Sequence, residues 1–360
     1  MDFKDILNNF QIEGEVNSVK KFGAGHINET YLIETSLNKY ILQSLNIKVF
    51  KDYVGVMNNI DKVTSFLKQK YEKEGRDIDH LLFLIKTKDN NHYLLRDGQC
   101  FRMMNYIDNS IVLQQTKDVH ILEQAGIGLG GFIKDLEDFN TDQLVEVIPN
   151  FHNTKIRFND FLETIEADKA YRVKSVQKEI DFVLARKDIV SIIVDGIENK
   201  TIPIRVTHND TKLNNFMFDK DTHDYMCLVD LDTIMPGSLL YDFGDAIRIG
   251  CSTAGEEERD LDKVHFDLTS YEAFLKGFIK GIGNSITKYE AELLHISAKI
   301  MTFEIGMRFL KDYLDGDVYF KIQEEDSNLV RARTQLKMVQ ELERKTKDME
   351  KILYKYYNKE

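Results

Sequence analysis

Through roughly the first hundred residues, apolar and polar positions alternate in short runs that are separated by turn residues. The first three runs are EVNSVKKF, TYLIET and YILQSLN, and a later set of three reads HLLFLIKT, HYLLRD and QCFRMMNYID. Alternation with a period of two, bounded by Gly, Asn and Ser, is typical of antiparallel strands. The pattern therefore predicts an antiparallel sheet that ends near residue 108.

One helix interrupts these strands, and helices dominate the rest of the chain. Between Tyr53 and Glu74 the apolar positions recur at helical spacing, which predicts a helix with one face on a core. Helical spacing returns in residues 116–139, in two charged segments within 168–200, and from SYEAFLKGFIKGI onward. We therefore expect an α+β protein of two lobes, with a small antiparallel sheet and a helix in residues 1–108 and a larger, mainly helical lobe in residues 109–360.

Two apolar runs in the second region end in clusters of polar residues. The run around Val206 leads into a loop that holds His208, Asn209, Asp210, Lys212, Asn214 and Asn215. The run from Met226 to Val229 leads to Asp230 and Asp232 in the same way. Both runs have the length and composition of buried strands. We expect their ends to lie side by side, which would bring the acidic and amide groups together.

The spacing of these residues matches a catalytic loop. His208, Asp210 and Asn215 fit the pattern H-x-D-x-x-x-x-N, and Asp230 follows after a hydrophobic run. This order resembles the catalytic loop and metal-binding segment of eukaryotic-like kinases. In phosphoryl transfer an aspartate accepts the proton of the attacking hydroxyl, while carboxylate and amide oxygens hold Mg²⁺ against the phosphates. We therefore assign Asp210 as the base, and Asn215 and Asp230 as metal ligands.

A structural interpretation of the same residues stays open. Asn and Asp clusters after strands are common in turns, because their side chains bind local backbone groups and tolerate left-handed conformations. For His208 we favour a structural role, with its ring hydrogen-bonded to backbone. Asp242, in the string YDFGD, is expected to accept hydrogen bonds from backbone or Arg rather than to bind metal.

The predicted sheet contains two candidate contacts for a nucleotide. Gly23 and Gly25, in the turn GAGHIN, could cover phosphates with backbone N–H groups, and a hairpin that needs Gly for positive φ is an equal alternative. The backbone around Met104 and Tyr106 could bind adenine, since the sheet passes into the helical region there. The alternative for this second segment is an edge strand with a Met-rich core face.

Gln43 departs from the kinase pattern. It stands where the third strand of a kinase carries a lysine that pairs with the phosphates. Either Lys48 or another cation takes that role, or Gln43 itself hydrogen-bonds the phosphates without charge. The helix predicted for residues 53–74 offers no obvious glutamate as a partner for such a lysine.

The composition of the chain limits the classes of partner that we expect the protein to bind. The net charge of −12 argues against a nucleic-acid partner, because phosphate contacts need basic surface. Cys100, Cys227 and Cys251 are scattered without metal-ligand spacing, which suits a reducing cytoplasm. No apolar run reaches the roughly 18 residues of a membrane span, and no leader-like pattern opens the chain. We therefore expect a cytoplasmic protein that acts on a small molecule, with its oligomeric state left open.

Several strings together resemble a known family over nearly the whole chain. They are GAGHINETYLI, YILQSLN, RMMNYI, IPNFHNT, THNDTKLNN, VDLDTIMPG, YDFGDAIR, FEIGMRFLKDYLDGDVYF and NLVRARTQ. The combination resembles the N-acetylhexosamine 1-kinases, within the aminoglycoside phosphotransferase and choline kinase superfamily. The resemblance implies a bilobal protein kinase-like fold, and it implies that ATP and Mg²⁺ are used to phosphorylate the anomeric C1 hydroxyl of N-acetylglucosamine or N-acetylgalactosamine.

The resemblance also assigns roles to single residues. It places Asp210 as the catalytic aspartate that also meets the sugar, Asn215 and Asp230 as magnesium ligands, and Asp232 as a further metal participant. It places His26, Arg308 and Tyr319 around the sugar, and it accepts Gln43 at the lysine position. Two alternatives remain: a kinase of the same fold acting on choline, homoserine or an aminoglycoside, and a nucleotide-binding pseudokinase, which the missing lysine alone suggests.

Overall fold

The computed structural model describes residues 3–23, 28–47 and 51–357. Its strands are β1 Val16–Lys21, β2 Glu29–Thr35, β3 Lys39–Leu45, β4 Leu84–Ile85, β5 Leu94–Arg96, β6 Gln99–Asn105, β7 Ser110–Ile111, β8 Arg205–Thr207, β9 Phe216–Asp219, β10 Tyr225–Leu228 and β11 Met235–Gly237. Its α-helices are α1 Phe3–Leu7, α2 Tyr53–Glu74, α3 Val119–Asp135, α4 Thr154–Ala167, α5 Gln177–Leu184, α6 Ile192–Glu198, α7 Leu239–Gly250, α8 Leu268–Ile282, α9 Lys288–Leu314 and α10 Ser327–Tyr356. Short 3₁₀ turns span Thr141–Gln143, Val173–Val176, Lys187–Ile189, Leu213–Asn215, Leu231–Thr233, Leu261–Lys263 and Gly283–Ser285.

The first six strands form the antiparallel sheet that the alternating pattern predicts. Their order is β1-β2-β3-β6-β4, and β5 also pairs with β6. In this register Gln43 on β3 lies between Thr30 on β2 and Arg102 on β6. Residues directly opposite in an antiparallel pair share a face of the sheet. The side chain at position 43 therefore has Thr30 and Arg102 as its immediate neighbours.

Helix α2 packs against both the sheet and the helical region. Asp52 caps the start of the helix with a side chain that accepts the N–H of Gly55. Gly75 caps its end in a left-handed conformation, with a φ of 67°. The Nδ2 group of its buried Asn59 donates to two carbonyl groups of the helical region, those of Val145 and Ile234, both at 2.8 Å. Residues of both regions belong to one contiguous hydrophobic core, so the sheet and the helices are joined by apolar packing as well as by the chain.

The helical region is built around close helix pairs. A Cβ added to Gly126 of α3 would come within 2.1 Å of the Phe274 carbonyl oxygen on α8, and one added to Gly277 within 2.0 Å of the Glu123 carbonyl oxygen. Glycine is therefore required where these two backbones touch, as the small-residue run GIGLGGF indicates. Helices α4, α5, α9 and α10 enclose a second core cluster. Within the described residues, no helix combines the length and apolarity needed to cross a bilayer.

The two apolar runs that lead to the polar clusters do form strands, but they do not share a sheet. Strand β8 pairs with β11, whereas β10 pairs with β9 in a separate small sheet that also contains β7. The ends of the two strands are nevertheless adjacent, as the sequence predicts, since the Nε2 group of His208, directly after β8, donates to the carbonyl of Val229, directly after β10, at 2.8 Å. Each strand pairs with a local partner, and side chains of the intervening loop connect the two sheets.

Candidate active site

A buried carboxylate fixes the loop that follows β8. Asp242, in the first turn of α7, accepts the N–H of His208 at 2.8 Å and that of Asn209 at 2.6 Å, and its carbonyl oxygen accepts the Thr211 hydroxyl at 2.5 Å. Burial raises the pKa of Asp242 to about 6, against the opposing effect of His208 and the N–H donors. Asp242 thus binds backbone, as the sequence predicts, and holds the residues on either side of Asp210.

His208 ties this loop to β10. Its Nε2 group donates to the Val229 carbonyl at 2.8 Å, and its Nδ1 atom accepts the N–H of Asp210 at 3.3 Å. The side chain is fully buried. Asn209, between the two, has a φ of 64°, a left-handed conformation that Asn tolerates better than most residues. These contacts agree with the structural role expected for His208, since both ring nitrogens are used by backbone.

Asp210 lies at the end of this scaffold, next to Asn215. The Asn215 Nδ2 group donates to the Asp210 carbonyl at 2.7 Å and to its carboxylate Oδ2 at 3.2 Å. The Asp210 side chain keeps 28% of its surface exposed, so a substrate can reach it. No described residue donates a hydrogen bond to Asn215 Oδ1, which leaves that oxygen as an acceptor for another group.

Lys212 is a cation at the site to which the sequence assigned no role. Its Nζ atom lies 3.1 Å from Asp210 Oδ1. Burial alone would lower the pKa of Lys212, but the carboxylates of Asp210, Asp245 and Asp230 outweigh it and raise that pKa. The signal in the sequence was a single lysine two residues after the proposed base, within a loop otherwise rich in Asp and Asn.

Asp230 faces the same cleft from the other side. It follows β10 with a φ of 59°, and the N–H of the preceding Val229 donates to the Asn215 carbonyl at 2.9 Å. Solvent reaches Asp230, yet surrounding protein and the carboxylates of Asp232 and Asp210 raise its pKa to about 6. No residue in the described ranges donates a hydrogen bond to its side chain. Arg102 and His208 oppose this rise in pKa without cancelling it, so the surroundings of Asp230 disfavour its negative charge.

These oxygen donors fit a magnesium ion that is completed by a substrate. Across residues 3–23, 28–47 and 51–357, no group of three His, Cys, Asp or Glu side chains is arranged to hold a metal by itself. Mg²⁺ in phosphotransferases is bound through one or two protein carboxylates together with phosphate oxygens. The Oδ1 atom of Asn215 and the carboxylate of Asp230, neither of which accepts a hydrogen bond from a described residue, match that need. A cation there would also relieve the repulsion that raises the pKa of Asp230.

Asp232, which the resemblance proposes as a further metal participant, has protein partners on both carboxylate oxygens. Its Oδ1 forms a buried ion pair with Nη1 of Arg102, and its Oδ2 accepts the Asn28 side-chain amide at 3.0 Å. The Nε group of Arg102 donates to Gln43 Oε1 at 2.8 Å, and Gln43 in turn donates to the Thr30 hydroxyl at 3.1 Å. Gln43 and Asp232 therefore belong to one side-chain network that crosses from the sheet to the loop after β10.

Three of the expected nucleotide contacts, Gly23, Met104 and Tyr106, lie within the described residues. Gly23 has a φ of 72° and open space where a Cβ would stand. Met104 is flanked by Ile41 and Leu84 on neighbouring strands, so its backbone is enclosed by the sheet. Tyr106 directly follows the last residue of β6. The centre of its ring lies 6.0 Å from the centre of the Phe22 ring. Gly25, His26 and Lys48 lie outside the described residues.

A chain of side chains links the catalytic loop to helix α9. Nε2 of His152 lies 3.2 Å from the Asn209 carbonyl, and its Nδ1 lies 3.0 Å from Glu304 Oε1. The Thr154 hydroxyl donates to the other oxygen of Glu304 at 2.9 Å. Burial alone would raise the pKa of Glu304, but His152, Arg308 and Thr154 hold it below its usual range. Asn209, which directly precedes Asp210, is therefore connected to a fixed negative charge on α9.

Arg308 and Tyr319 extend this chain toward the surface. Arg308 Nη1 lies 3.8 Å from Glu304 Oε1, and its guanidinium group lies 5.9 Å from the centre of the Tyr319 ring. Asp312, one turn further along α9, accepts the backbone N–H groups of Val318 at 3.0 Å and Tyr319 at 2.8 Å, and that of residue 320 at 2.9 Å. The two residues that the resemblance assigns to the sugar therefore lie together, and a buried carboxylate holds the loop that carries one of them.

Residues 18–274 match the sequence model of a family described as the phosphotransferase enzyme family. The chain belongs to this family. Similar solved structures include choline kinase from Cryptosporidium parvum Iowa II, with 12% identity, a TM-score of 0.60, and coverage of 97% of this chain and 98% of that one. Plasmodium vivax ethanolamine kinase has 13% identity, a TM-score of 0.57, and coverage of 88% and 82%. Spectinomycin phosphotransferase, in complex with ADP and spectinomycin, has 13% identity, a TM-score of 0.56, and coverage of 95% and 97%.

These likenesses establish the fold of the phosphotransferase. The antiparallel sheet followed by a mainly helical region is the kinase-like fold of choline kinase and spectinomycin phosphotransferase, so the expected fold class is confirmed. Family membership confirms the broad assignment as a small-molecule phosphotransferase. The preferred acceptor is a separate question, because neighbours of this fold are named for chemically different acceptors.

The phosphotransferase also has a cavity of about 220 Å³ beside its catalytic loop. It is lined by His152, Asn209, Tyr241 and parts of α6 and β11. Neither Asp210 nor Arg308 lines it, and transfer to an acceptor requires the acceptor hydroxyl to reach the base. The cavity therefore does not by itself place an acceptor against Asp210.

Proposed function

We propose that this phosphotransferase transfers the γ-phosphoryl group of ATP to the anomeric C1 hydroxyl of an N-acetylhexosamine, either N-acetylglucosamine or N-acetylgalactosamine, and so forms the sugar 1-phosphate. The supporting observation is that Arg308 and Tyr319 lie together and connect, through Glu304 and His152, to the residue before Asp210. Those are the described positions that the resemblance to N-acetylhexosamine 1-kinases assigns to the sugar. His26, the remaining one, lies outside the described residues.

In the proposed reaction Asp210 accepts the proton of the C1 hydroxyl while that oxygen forms a bond to the γ-phosphorus and the bond to the β-phosphate oxygen breaks. ADP is the leaving group. Asn215 and Asp230 hold Mg²⁺, which when bound neutralises charge on the phosphates. Lys212 adds a positive charge 3.1 Å from the Asp210 carboxylate, where the negative phosphoryl group passes. Catalysis then consists of positioning and charge stabilisation, as in other phosphoryl transfers.

The positive charge in the region around Arg308 and Tyr319 favours an uncharged acceptor. Arg157 and Arg308 both lie there, and burial together with the charge of Arg308 lowers the pKa of Arg157. Choline and ethanolamine, the acceptors for which two neighbours are named, are cations that these two guanidinium groups would repel, whereas Glu304 and Asp160 would attract them. The chain has no tryptophan, the best residue for an aromatic cage around a quaternary ammonium group. A neutral sugar avoids this repulsion and can use Tyr319 as a stacking surface.

The hydroxyl and amide groups of a sugar also supply selectivity. A site built to hydrogen-bond a substrate discriminates strongly against an analogue that leaves its buried polar groups unpaired, by a factor of about 10⁴. Arg308 carries five N–H donors, and among the described residues its contacts are the carboxylate of Glu304 and aromatic faces. Donors therefore remain for sugar oxygens.

An acceptor screen tests this proposal. ADP release would be measured with ATP, Mg²⁺ and each of N-acetylglucosamine, N-acetylgalactosamine, galactose, choline and homoserine. We expect the highest kcat/KM with one of the two N-acetylhexosamines. A higher value with choline or homoserine would replace the proposed acceptor while keeping the phosphotransferase activity. Thermal stabilisation by ATP without turnover on any acceptor would favour a nucleotide-binding pseudokinase.

A further inference from the structure

The nucleotide site lacks a cation at the position where the kinase pattern requires one. In kinases a lysine on the third strand pairs with the phosphates and is held by a glutamate from the following helix. Here Gln43 occupies β3, and its amide is used by protein at both ends, by Arg102 and by Thr30. The buried residues of α2 include no glutamate, and the buried Asn59 there bonds two carbonyl groups of the helical region. Neither half of the usual pair is present at its expected position.

Arg102 places a positive charge directly beside the vacant lysine position. It lies opposite Gln43 in the pairing of β3 with β6, so the two side chains share a face of the sheet. Its Nε group donates to Gln43 Oε1 at 2.8 Å. Only 1% of the residue is exposed, and arginine keeps its charge in such surroundings. A fixed cation therefore stands one strand away from where a lysine would be.

The partner of Arg102 belongs to the metal-binding segment. Nη1 forms the ion pair with Asp232, two residues after Asp230, and Asn28 binds the other oxygen of the same carboxylate at 3.0 Å. Asn28 accepts the backbone N–H of Asn46, at the end of β3, at 3.0 Å. Asp232 is thus held from two points of the sheet. Within the described ranges, Nη2 of Arg102 forms no hydrogen bond.

A buried ion pair is weak evidence for stability, because replacing it with apolar residues is often neutral or favourable. Such a pair does impose one geometry on the elements that it joins, since separating the two charges leaves each uncompensated. Here it joins the sheet to the loop that carries Asp230. The usual lysine and glutamate both lie in the N-terminal lobe, whereas Arg102 and Asp232 come from opposite sides of the cleft.

We infer that Arg102 is the positioning residue of the nucleotide site. From β6 it supplies the fixed positive charge that a lysine on β3 supplies in kinases, and through Asp232 it holds the segment that carries Asp230 against the sheet. Gln43 serves as its support, keeping the guanidinium group in place. This inference rests on the ATP half of the proposed function and is independent of the choice of acceptor.

The first test compares Arg102→Met with the wild-type protein. Binding of Mg·ADP would be measured by calorimetry, which requires no acceptor, and steady-state kinetics would follow with the best acceptor. We expect Mg·ADP to bind at least tenfold more weakly, and kcat/KM for ATP to fall by about a hundredfold, the size expected from loss of one electrostatic contact to the transferred group. The acceptor KM should change less than twofold, a split that a general loss of folding would not produce.

The second test removes the positive charge of Arg102 from β6 and introduces a lysine at position 43 on β3. In the double variant Gln43→Lys with Arg102→Met, a lysine stands next to the lost guanidinium group, and we expect it to recover at least tenfold of the lost kcat/KM for ATP. Arg96→Met is the matched control. Arg96 lies on β5 of the same sheet and pairs with Asp5 at 2.7 Å, with 51% of its side chain exposed. Its replacement should leave Mg·ADP binding unchanged.

The outcomes separate the inference from the proposed function. Wild-type affinity for Mg·ADP in a folded Arg102→Met protein, or a double variant no better than the single one at equal thermal stability, would overturn the role of Arg102. If Arg102→Met does not fold, Arg102→Lys replaces it. That variant keeps the charge without the two-pronged geometry, so kcat/KM for ATP should fall by less than tenfold, and a fall of about a hundredfold would overturn the role of the charge. Failure of the wild-type protein to bind Mg·ADP would instead contradict the ATP half of the proposed function.

Discussion

At the scale of single residues, Asp210 is held by hydrogen bonds to its backbone more than by contacts of its side chain. It is therefore well suited to substitution. His208 and Asn215 bind its N–H and carbonyl groups, and Asp242 fixes the N–H groups just before it. An asparagine at position 210 would keep these backbone contacts, but it would lose the ability to accept a proton and the ion pair with Lys212. The loop should therefore survive a substitution that removes the base.

For Asp210→Asn we expect kcat to fall by about 10³ or more, within the range attributed to general base catalysis. Mg·ADP should bind within about threefold of the wild-type affinity, because Asn215 and Asp230 are untouched. Single-turnover kinetics and calorimetry would measure the two quantities. The exposed Asp188 provides the control as Asp188→Asn, which should behave as wild type. A turnover near the wild-type value would remove Asp210 from its role as base.

Arg308 can be altered without leaving a buried charge alone, because Glu304 keeps its contacts with His152 and Thr154. For Arg308→Met we expect the acceptor KM to rise by about 10- to 100-fold, as for loss of one or two hydrogen bonds to a charged group. The KM for ATP should stay constant. Initial-rate kinetics with both substrates would show this, with Arg344→Met, at an exposed site on α10, as the control. An unchanged acceptor KM would place the sugar elsewhere.

At the scale of elements, the end of α9 controls the loop that carries Tyr319. Asp312 accepts three successive N–H groups, at residues 318–320, and also the side-chain amide of Asn328 on α10. The Tyr319 side chain itself is 64% exposed. Burial therefore does not fix the place of Tyr319. The hydrogen bonds from its loop to Asp312 on α9 do.

Replacing Asp312 with Asn puts an N–H group where N–H donors already point, so the loop should lose its fixed geometry. We expect an acceptor KM about tenfold higher, equivalent to about 1.4 kcal/mol, faster proteolytic cleavage of the loop, and an unchanged KM for ATP. Asp315→Asn is the matched control, since Asp315 follows the same helix and pairs with Lys311 at 2.6 Å. Equal effects in both variants would show that the loop is not positioned by Asp312.

The elements that sequence predicted best were the long ones. Helix α2 has the bounds expected from its apolar spacing, Tyr53–Glu74, because a stripe repeated over 22 residues leaves one interpretation. The runs HLLFLIKT and HYLLRD form only β4 and β5, of two and three residues. The partners of β8 and β10 were also missed. Strand pairing depends on distant parts of the chain, and alternation along one strand does not reveal it.

At the scale of the whole molecule, a polar cluster reinforces the packing of α2 on α3. Asp135 of α3 accepts two hydrogen bonds from Arg76, both at 2.8 Å, and one from the Tyr71 hydroxyl at 2.7 Å. Burial alone would raise the pKa of Asp135, but Arg76 and Tyr71 outweigh it and hold that pKa below its usual range. The carboxylate therefore stabilises the folded protein above its unfolded-state pKa of about 3.9 and loses this effect as the pH falls below that value.

For Asp135→Asn we expect the free energy of unfolding at pH 7 to fall by about 2 kcal/mol, the cost of weakening a partly buried charged network. The difference from wild type should shrink as the pH falls below about 4, because the wild-type carboxyl group takes up its proton only at its lowered pKa. Urea unfolding at a series of pH values would measure this. Asp138→Asn is the control, because Asp138 is 78% exposed and lies 3.8 Å from Lys70. A pH-independent difference would contradict the assignment.

The residues of the candidate site fall into two groups, those that are close together in the sequence and those that are far apart. Asp210, Asn215 and Asp230 lie within one segment, so their spacing was enough to propose them as one site. The structure places Asn215 beside Asp210, and Asp230 near enough to Asp210 for that carboxylate to raise its pKa. Arg102 meets Asp232 across 130 positions, and His152 meets Glu304 across 152. Such pairs are decided by how the sheet and helices pack. A single sequence shows each of these residues but gives no signal that joins them.

Phosphorus NMR of the reaction product tests the central claim most directly. The protein would be incubated with ATP, Mg²⁺ and N-acetylglucosamine or N-acetylgalactosamine, and the new phosphate signal would be assigned by its coupling to sugar protons. We predict a monoester coupled to the anomeric proton, formed together with ADP. A phosphate on any other hydroxyl, or no sugar phosphate while choline or homoserine is phosphorylated under the same conditions, would contradict the claim.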